Sequence, residues 1–314
     1  MKSVLAVVGP TATGKSDLAV YLSQVLGGEV VNADSRQVYR HMEIGTAKPR
    51  QEQMKLVRHH LIDIVEPDEE FSLATYQDLA YEAIRDIRKR GKVPILTGGT
   101  GLYVWSIIEG WRIPQVRSEK GLRDSLEEKA RTGPPDILYN ELLKVDPDSA
   151  HAIAPSNTRR IIRALEVFYV TGTPLSVLKT KAPPDFETAI VGLTMNREEL
   201  YRRIDQRVDR MIASGLVEET KSLVEKGYSP VLPSMSGIGY REIVNVLKGE
   251  IELEAAVAKI KNATHNFARH QYAWFHLADS RIRWFDVGTT ERVEILEHVR
   301  GCLASSDRDM SFPG

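Results

Sequence analysis

The chain is short of several things, and each shortage excludes a class of protein. A single cysteine, Cys302, in 314 residues has nothing to pair with, so neither an internal disulfide framework nor a cysteine-rich zinc module is expected. No apolar run approaches the roughly 20 residues that span a bilayer. The N-terminus runs almost directly into a strand pattern, so no secretory signal and no membrane partner are expected, and the address read from the sequence is cytoplasmic. The formal net charge is −1, which supplies no global attraction for nucleic acid; such a partner would have to be recognised by local charge. Internal repeats and low-complexity segments are missing too, although the extreme C-terminus reads as frayed. What is there, 42% hydrophobic and 27% charged residues, suits a soluble globular chain with a substantial core.

The most informative stretch is Gly9-Pro10-Thr11-Ala12-Thr13-Gly14-Lys15-Ser16. It follows the apolar run Val4–Val8 and precedes a helical pattern from Asp17, the context in which a G-x-x-x-x-G-K-S spacing reads as a phosphate-binding loop. Glycine lets successive backbone amides turn inward, and the following helix adds the positive end of its dipole. Lys15 is placed to reach the outer phosphates, and the Ser16 hydroxyl to hold Mg2+. Gly9, Thr11, Ala12, Thr13, Gly14, Lys15 and Ser16 are therefore the expected diphosphate-binding residues.

The rest of the first hundred residues alternates strand and helix. After Gly27-Gly28, the run Glu29–Ala33 reads as a second strand that delivers Asp34-Ser35-Arg36-Gln37-Val38-Tyr39 at its C-terminal end, where parallel sheets place their ligands. Ser72 can cap a helix with apolar residues at Leu73, Tyr76, Ala80, Ala83, Ile84 and Ile87. Val93–Thr97 is a third strand, opening into the glycine-rich loop Gly98-Gly99-Thr100-Gly101, which can approach a ligand closely.

From about Gln115 to Phe186 prolines divide short helical stretches and no convincing strand appears, so the segment reads as a helical insertion. Its densest positive cluster, Arg159-Arg160-Ile161-Ile162-Arg163, is explained equally well by a solvated helix face and by phosphate contacts. The sheet resumes at Ala189–Thr194, followed by an arginine-rich amphipathic helix around Leu200–Ile212, a long helix from about Leu253 to Leu277 and a last strand near Ile282–Asp286. Between Ala255 and Arg283 five basic residues face one acid, a balance that suits nucleic acid or a helix covering the sheet. The expected fold is α/β: a P-loop NTPase-like parallel sheet flanked by helices (1–114 and 187–314) with an all-helical insertion domain (115–186).

The residues beside the cradle suggest the acceptor. Asp34 is a base next to amide and guanidinium donors, and such groups suit the edge of adenine, so the phosphate cradle would hold a leaving group. Asp34 as a second magnesium ligand is the alternative reading.

Several short motifs in order resemble the bacterial tRNA dimethylallyltransferase family over nearly the whole chain. They are the phosphate loop, Asp34–Tyr39, Ile44-Gly45-Thr46-Ala47-Lys48-Pro49, His59-His60-Leu61-Ile62-Asp63, Gly98–Tyr103, Arg163–Val167 and Gly239-Tyr240-Arg241. The resemblance implies transfer of a dimethylallyl group from dimethylallyl diphosphate to N6 of the adenosine immediately 3′ of the anticodon, with Mg2+ and with the tRNA anticodon stem-loop as partner. It implies catalytic roles for Asp34, Thr100, Lys15 and Arg207, the last as a guanidinium clamp. Contacts to tRNA are implied for Asp34, Ser35, Arg36, Gln37, Thr100, Arg123, Arg159, Arg160, Ile161, Ile162, Arg163, Gly239, Tyr240 and Arg241, with the insertion gripping the stem-loop. A monomer is expected. Arg159 stands where many relatives have glutamine. His59 and His60, adjacent in a strand, point to opposite faces and read as structural residues, not metal ligands. The competing functions are an adenylate isopentenyltransferase acting on AMP, ADP or ATP, a P-loop small-molecule kinase, and a non-enzymatic RNA-binding protein.

Overall fold

The computed structural model describes residues 3–114, 116 and 119–308. Gln115, where the sequence pattern first changes, and the final six residues of the frayed end lie outside the described residues. The chain divides into two compact units, one comprising residues up to Ile108 and from Pro184 onward, the other Glu109–Pro183.

The first unit is built on strands β1 (Ser3–Val8), β2 (Gly28–Asn32), β3 (His59–His60) and β4 (Val93–Thr97); the second contains β5 (Trp111–Arg112) and β6 (Thr180–Lys181); the first resumes with β7 (Glu187–Thr194) and β8 (Ile282–Asp286). The large sheet has the order β3-β2-β4-β1-β7-β8, every pairing parallel. Central β1 is buried along its whole length and β4 likewise, as expected where helices cover both faces of a parallel sheet. On one face Leu5, Val7, Ile95 and Val191 pack with Leu18 and Leu22 of the helix Lys15–Leu26 and with Ile295 and Val299 of the helix Arg292–Arg308. A second core gathers Val38, Met42, Val208, Met235, Tyr240, Ile243 and Ile260.

Local chemistry sets the element ends. Gly27 ends the first helix in the left-handed region at φ 64°, a conformation glycine adopts at little cost. Ser72 caps the helix Leu73–Lys89 by accepting from the Thr75 amide at 3.0 Å. The helix Gln51–Leu56 carries no apolar signal in the sequence, and the structure explains why: none of its residues is buried.

The second unit packs five helices, Lys120–Thr132, Ile137–Val145, Pro147–Ala152, Thr158–Thr171 and Leu175–Leu178, around Leu126, Leu138, Leu142, Ile161, Ile162 and Leu165. It is helical apart from one feature the sequence pattern misses, the antiparallel β5–β6 ribbon. Strands of two residues are too short to show a two-residue alternation.

Candidate active site

Because the sheet is parallel, the loops that follow β1, β2 and β4 all leave by one edge, and each begins with a residue type that its position requires. Gly9 follows β1 at φ 132°, and a side chain there would meet the Leu193 carbonyl at 2.3 Å. The turn continues through Ala12 at φ 66° to Gly14 at φ 87°, which starts the helix Lys15–Leu26 without any side-chain cap. The first-turn amides are thus offered to an external anion. The Thr13 hydroxyl donates to the Pro10 carbonyl at 2.8 Å, and the Lys15 ammonium donates to the same oxygen at 2.6 Å. Ser16 is exposed at the start of the helix.

After β2 the chain is braced from several sides. Asn32 accepts from the Asp34 amide at 3.2 Å and donates to the Leu61 carbonyl at 3.0 Å. The Asp34 carboxylate accepts from the Arg36 amide at 2.9 Å. After β4, the Thr100 hydroxyl accepts from the Ser35 amide at 3.0 Å and donates to the Ser35 hydroxyl at 3.2 Å, while the Thr100 amide donates to the Ala33 carbonyl at 3.2 Å. This close seam needs Gly98, where a side chain would meet Ala33 at 2.2 Å. Thr100 therefore fixes the turn that presents Asp34.

Two cations interact electrostatically with this carboxylate. Arg207, in the helix Arg197–Ala213, reaches the phosphate loop through a 3.3 Å bond from Nη1 to the Thr11 hydroxyl. Dense protein surroundings lower the Lys15 pKa to about 7, helped by the Arg207 charge and opposed by Asp34. Arg207 is shifted down for the same leading reason, with Asp34 again opposing. Lys15 keeps partial solvent contact as a residue, yet its ammonium sits among protein atoms beside another positive group. Two cations tied to one loop, each acted on by a single carboxylate, suit an anionic ligand.

Gln271, which no motif marks, lies between the loops. Its Oε1 accepts from the Thr11 amide at 2.7 Å, and its Nε2 donates to the Gly99 carbonyl at 2.9 Å. Asn32 is likewise unmarked in the sequence. Both act through backbone groups, which leave no spacing pattern to read.

Several expected tRNA-contact residues make contacts within the chain. Tyr240 is 1% exposed and gives its hydroxyl to Glu219 at 2.6 Å; burial, with Glu219 beside it, pushes its pKa well up. Its ring packs on Gly45, where any side chain would collide with it. The Gln37 amide nitrogen donates to the carbonyls of Thr46 and Ala47, at 3.1 and 3.2 Å, so it braces the Gly45 loop. Arg36 donates to the Pro233 carbonyl, which pins it to the turn Ser234–Ser236. Gly239 adopts φ 100° and its amide donates to Glu242 at 2.9 Å, while Arg241 pairs with the same carboxylate at 2.6 Å.

Within the second unit Ile161 and Ile162 are buried core residues, which corrects their expected tRNA contact. A helix periodicity was enough to foresee it: with Arg159 and Arg160 on the exposed face, the next two positions turn inward. Arg123 makes a bidentate pair with buried Glu166, 2.8 Å on each branch, and Arg163 donates to the Val116 carbonyl at 3.0 Å. Arg159 and Arg160 are exposed.

His60 does not point to a metal centre. Its Nε2 lies 2.8 Å from Glu29, a 2% exposed carboxylate that also accepts from Lys92 at 2.8 Å and from Arg90 Nη2 at 2.7 Å. The Nδ1 of His59 lies 2.8 Å from the Val57 carbonyl. Of the basic residues near the long helix Leu253–Trp274, Lys261 pairs with Asp209 and Arg281 with Asp279, each at 2.7 Å.

Comparison with known proteins places the chain. The profile of the IPP transferase family matches residues 37–278. A tRNA dimethylallyltransferase of Roseiflexus castenholzii is 50% identical over 88% of this chain and 90% of its own. That of Dehalococcoides mccartyi is 42% identical over 98% and 94%. Among solved structures, the tRNA isopentenylpyrophosphate transferase of Bacillus halodurans superposes with a TM-score of 0.73 at 39% identity, covering 98% of this chain and 99% of that one. A eukaryotic dimethylallyltransferase solved in the course of acting on tRNA gives a TM-score of 0.82 at 30% identity, covering all of this chain and 81% of that one. The central parallel sheet with its flanking helices is the P-loop NTPase-like fold of these enzymes, and the chain belongs to the IPP transferase family.

Proposed function

We propose that this chain transfers the dimethylallyl group of dimethylallyl diphosphate to N6 of the adenosine immediately 3′ of the anticodon in tRNA, releasing diphosphate. The observation that carries the mechanism is the convergence at one sheet edge of a phosphate cradle holding Lys15 and Arg207 and a carboxylate, Asp34, held beside them by Thr100 and Asn32. Its relatives are named tRNA dimethylallyltransferases.

Cleavage of the allylic C–O bond leaves the electron pair on the diphosphate, and the difficulty lies in stabilising that charge. The amides of Ala12 to Ser16, Lys15 and Arg207 are arranged before the reaction to receive it. The lone pair of N6 attacks the allylic carbon and becomes acidic only as the new C–N bond forms. Asp34 then takes the proton from N6. Thr100 holds the Ser35 backbone and so aims Asp34. The acceptor base must leave the anticodon-loop stack to arrive there, at a cost of about a few kcal/mol that is lowest in a single-stranded loop.

Magnesium fits the donors present. Ser16 offers an exposed hydroxyl at the cradle, and among the described residues no three His, Cys, Asp or Glu side chains gather into a cage. That suits an ion which keeps waters and takes most of its remaining oxygens from the phosphates. Such an ion would add charge neutralisation to the departing diphosphate. The exposed Arg159 and Arg160 of the second unit are available to tRNA phosphates.

The test is transfer of labelled dimethylallyl from its diphosphate, with magnesium, to unmodified tRNA and in parallel to AMP, ADP and ATP, by wild type and Asp34→Ala. Label in tRNA, lost in the variant, is the expected result. Label only in free nucleotides would assign the chain to adenylate prenylation. No transfer to either acceptor by a folded enzyme would overturn the proposal.

A further inference from the structure

The long helix Leu253–Trp274 ends against the active-site loops, and the contact is made by two glycines. A side chain on Gly99 would meet Gln271 Nε2 at 2.2 Å, and one on Gly101 would meet the Trp274 side chain at 2.3 Å. The helix is fixed there from other directions: Trp105 donates to the Trp274 carbonyl at 2.8 Å, and Tyr272 and Thr194 share a hydrogen bond of 2.8 Å. Into the gap projects Gln271, 2% exposed. Its amide makes two bonds of opposite sense, accepting from Thr11 in the phosphate loop and donating to Gly99 in the loop that carries Thr100.

A primary amide satisfies both partners at neutral pH, offering a fixed acceptor and a fixed donor on one planar group. A carboxylate could accept from Thr11 but would set its second oxygen against the Gly99 carbonyl; an apolar side chain would leave both backbone groups unsatisfied. Thr11 also receives Arg207, and Thr100 holds the turn of Asp34. One side chain thus ties the half of the site that receives the leaving group to the half that takes the proton.

We propose that Gln271 is a positioning residue for prenyl transfer: it fixes the distance between the diphosphate cradle and the Thr100–Asp34 side, so that the allylic carbon and N6 meet in reactive geometry. This role rests on the reading of the chain as a dimethylallyltransferase. A misplacement of about 1 Å is enough to slow a reaction about 100-fold. The loss should fall on kcat, because neither substrate loses a direct contact.

Steady-state transfer to tRNA by wild type, Q271L, Q271E, G99A and Q271L/G99A, with tRNA affinity measured separately, tests the proposal. Expected are a fall in kcat of about 100-fold for Q271L and G99A alike, unchanged tRNA affinity, and a double variant no worse than either single one. The Q271E enzyme should recover as pH falls from about 8 to about 6, since a buried carboxyl that takes up a proton can again donate to Gly99 while accepting from Thr11; Q271L should show no such recovery. Wild-type kcat in Q271L and G99A, additive losses, or losses confined to tRNA affinity would each overturn the positioning role. If Q271L is unfolded, the pH rescue of Q271E and the kcat of G99A decide. Failure of the wild type to transfer would instead overturn the functional reading, and this role with it.

Discussion

The Arg207 guanidinium donates to the Thr11 hydroxyl at 3.3 Å, joining the middle of a helix to a glycine loop 196 positions earlier. Arg197, Arg202, Arg203 and Arg210 share that helix. Arg202 and Arg203 are occupied by Glu199, each at 2.8 Å. Arg207 is the one directed at the cradle. Arg207→Ala should therefore lower kcat/KM by about 100- to 1,000-fold, the usual effect of removing one donor to a developing anion. Arg202→Ala, a change at an exposed ion pair, should leave it within about twofold. Parallel steady-state kinetics check both, with tRNA affinity expected to be unaltered in each.

Lys15 makes the cradle pH-sensitive. Its pKa is lowered to about 7 by burial and by Arg207, and a bound diphosphate favours the charged form. Affinity for the diphosphate should fall as pH rises from 7 toward 9, by as much as about tenfold per unit, with net proton uptake on binding. Calorimetry in two buffers of different ionisation enthalpy measures that uptake. The stability effect has the opposite sense. Between pH 7 and the ordinary lysine value the unfolded chain binds the proton and the folded one does not, so stability rises with pH across that window. Lys15→Met should accordingly raise the thermal midpoint more at pH 6 than at pH 9 while abolishing transfer.

Much of this site was legible in the sequence because it depends on short-range order. The phosphate loop, the strand ends that carry Asp34 and Thr100, and the parallel sheet follow from contiguous patterns of apolar runs and glycines. Gln271 and Asn32 escaped because they bind backbone atoms distant in sequence, for which many residue types at many positions would look alike. The packing roles of Tyr240 and Gln37 were hidden for a related reason. A polar or aromatic residue in a motif near a site suggests a ligand contact, but here Tyr240 fills the space vacated by Gly45, and Gln37 bonds the Thr46 and Ala47 carbonyls that follow.

Tyr240 allows its packing role to be separated from a tRNA contact. Glu219 accepts from the amides of Glu43, Ile44 and Gly45, at 3.0, 2.8 and 3.1 Å, and from the Tyr240 hydroxyl. Tyr240→Phe should cost about 1 kcal/mol of stability, one buried hydrogen bond, and leave tRNA affinity unchanged. Gly45→Ala, which drives a methyl group into the ring, should cost more. Urea unfolding and a tRNA binding isotherm on the same preparations separate the two roles; a large loss of tRNA affinity in a stable Tyr240→Phe enzyme would restore the contact.

Glu29 anchors the opposite end of the strand that leads to Asp34. Its carboxylate is 2% exposed and receives Arg90, Lys92 and His60, and the Arg90 guanidinium bond leads in holding its pKa far below the ordinary glutamate value. Since the folded-state pKa is depressed, the stabilisation is present in full above the unfolded value near 4.5 and is lost as pH falls through that value and below. Glu29→Gln should remove much of this acid-dependent loss and lower stability at pH 7 by about 2 kcal/mol, a figure kept modest because Arg90 and Lys92 can turn to solvent. Unfolding free energies from pH 7 down to pH 3 check both parts.

The two arginine pairs of the second unit should behave differently. Arg123 is bidentate to Glu166, which is 1% exposed, so Arg123→Ala takes the nearer cation from a buried carboxylate, leaving Arg163 at 3.6 Å, and should destabilise by about 2 kcal/mol. Arg159 and Arg160 are exposed, and Arg159→Ala and Arg160→Ala should leave stability within about 0.5 kcal/mol. Each that contacts a tRNA phosphate should weaken binding and reduce the slope of log affinity against log salt by about 1. Binding measured from low to moderate salt decides the matter. A parallel displacement of the line, with no change in slope, would mean that the lost interaction was not an ionic contact with phosphate.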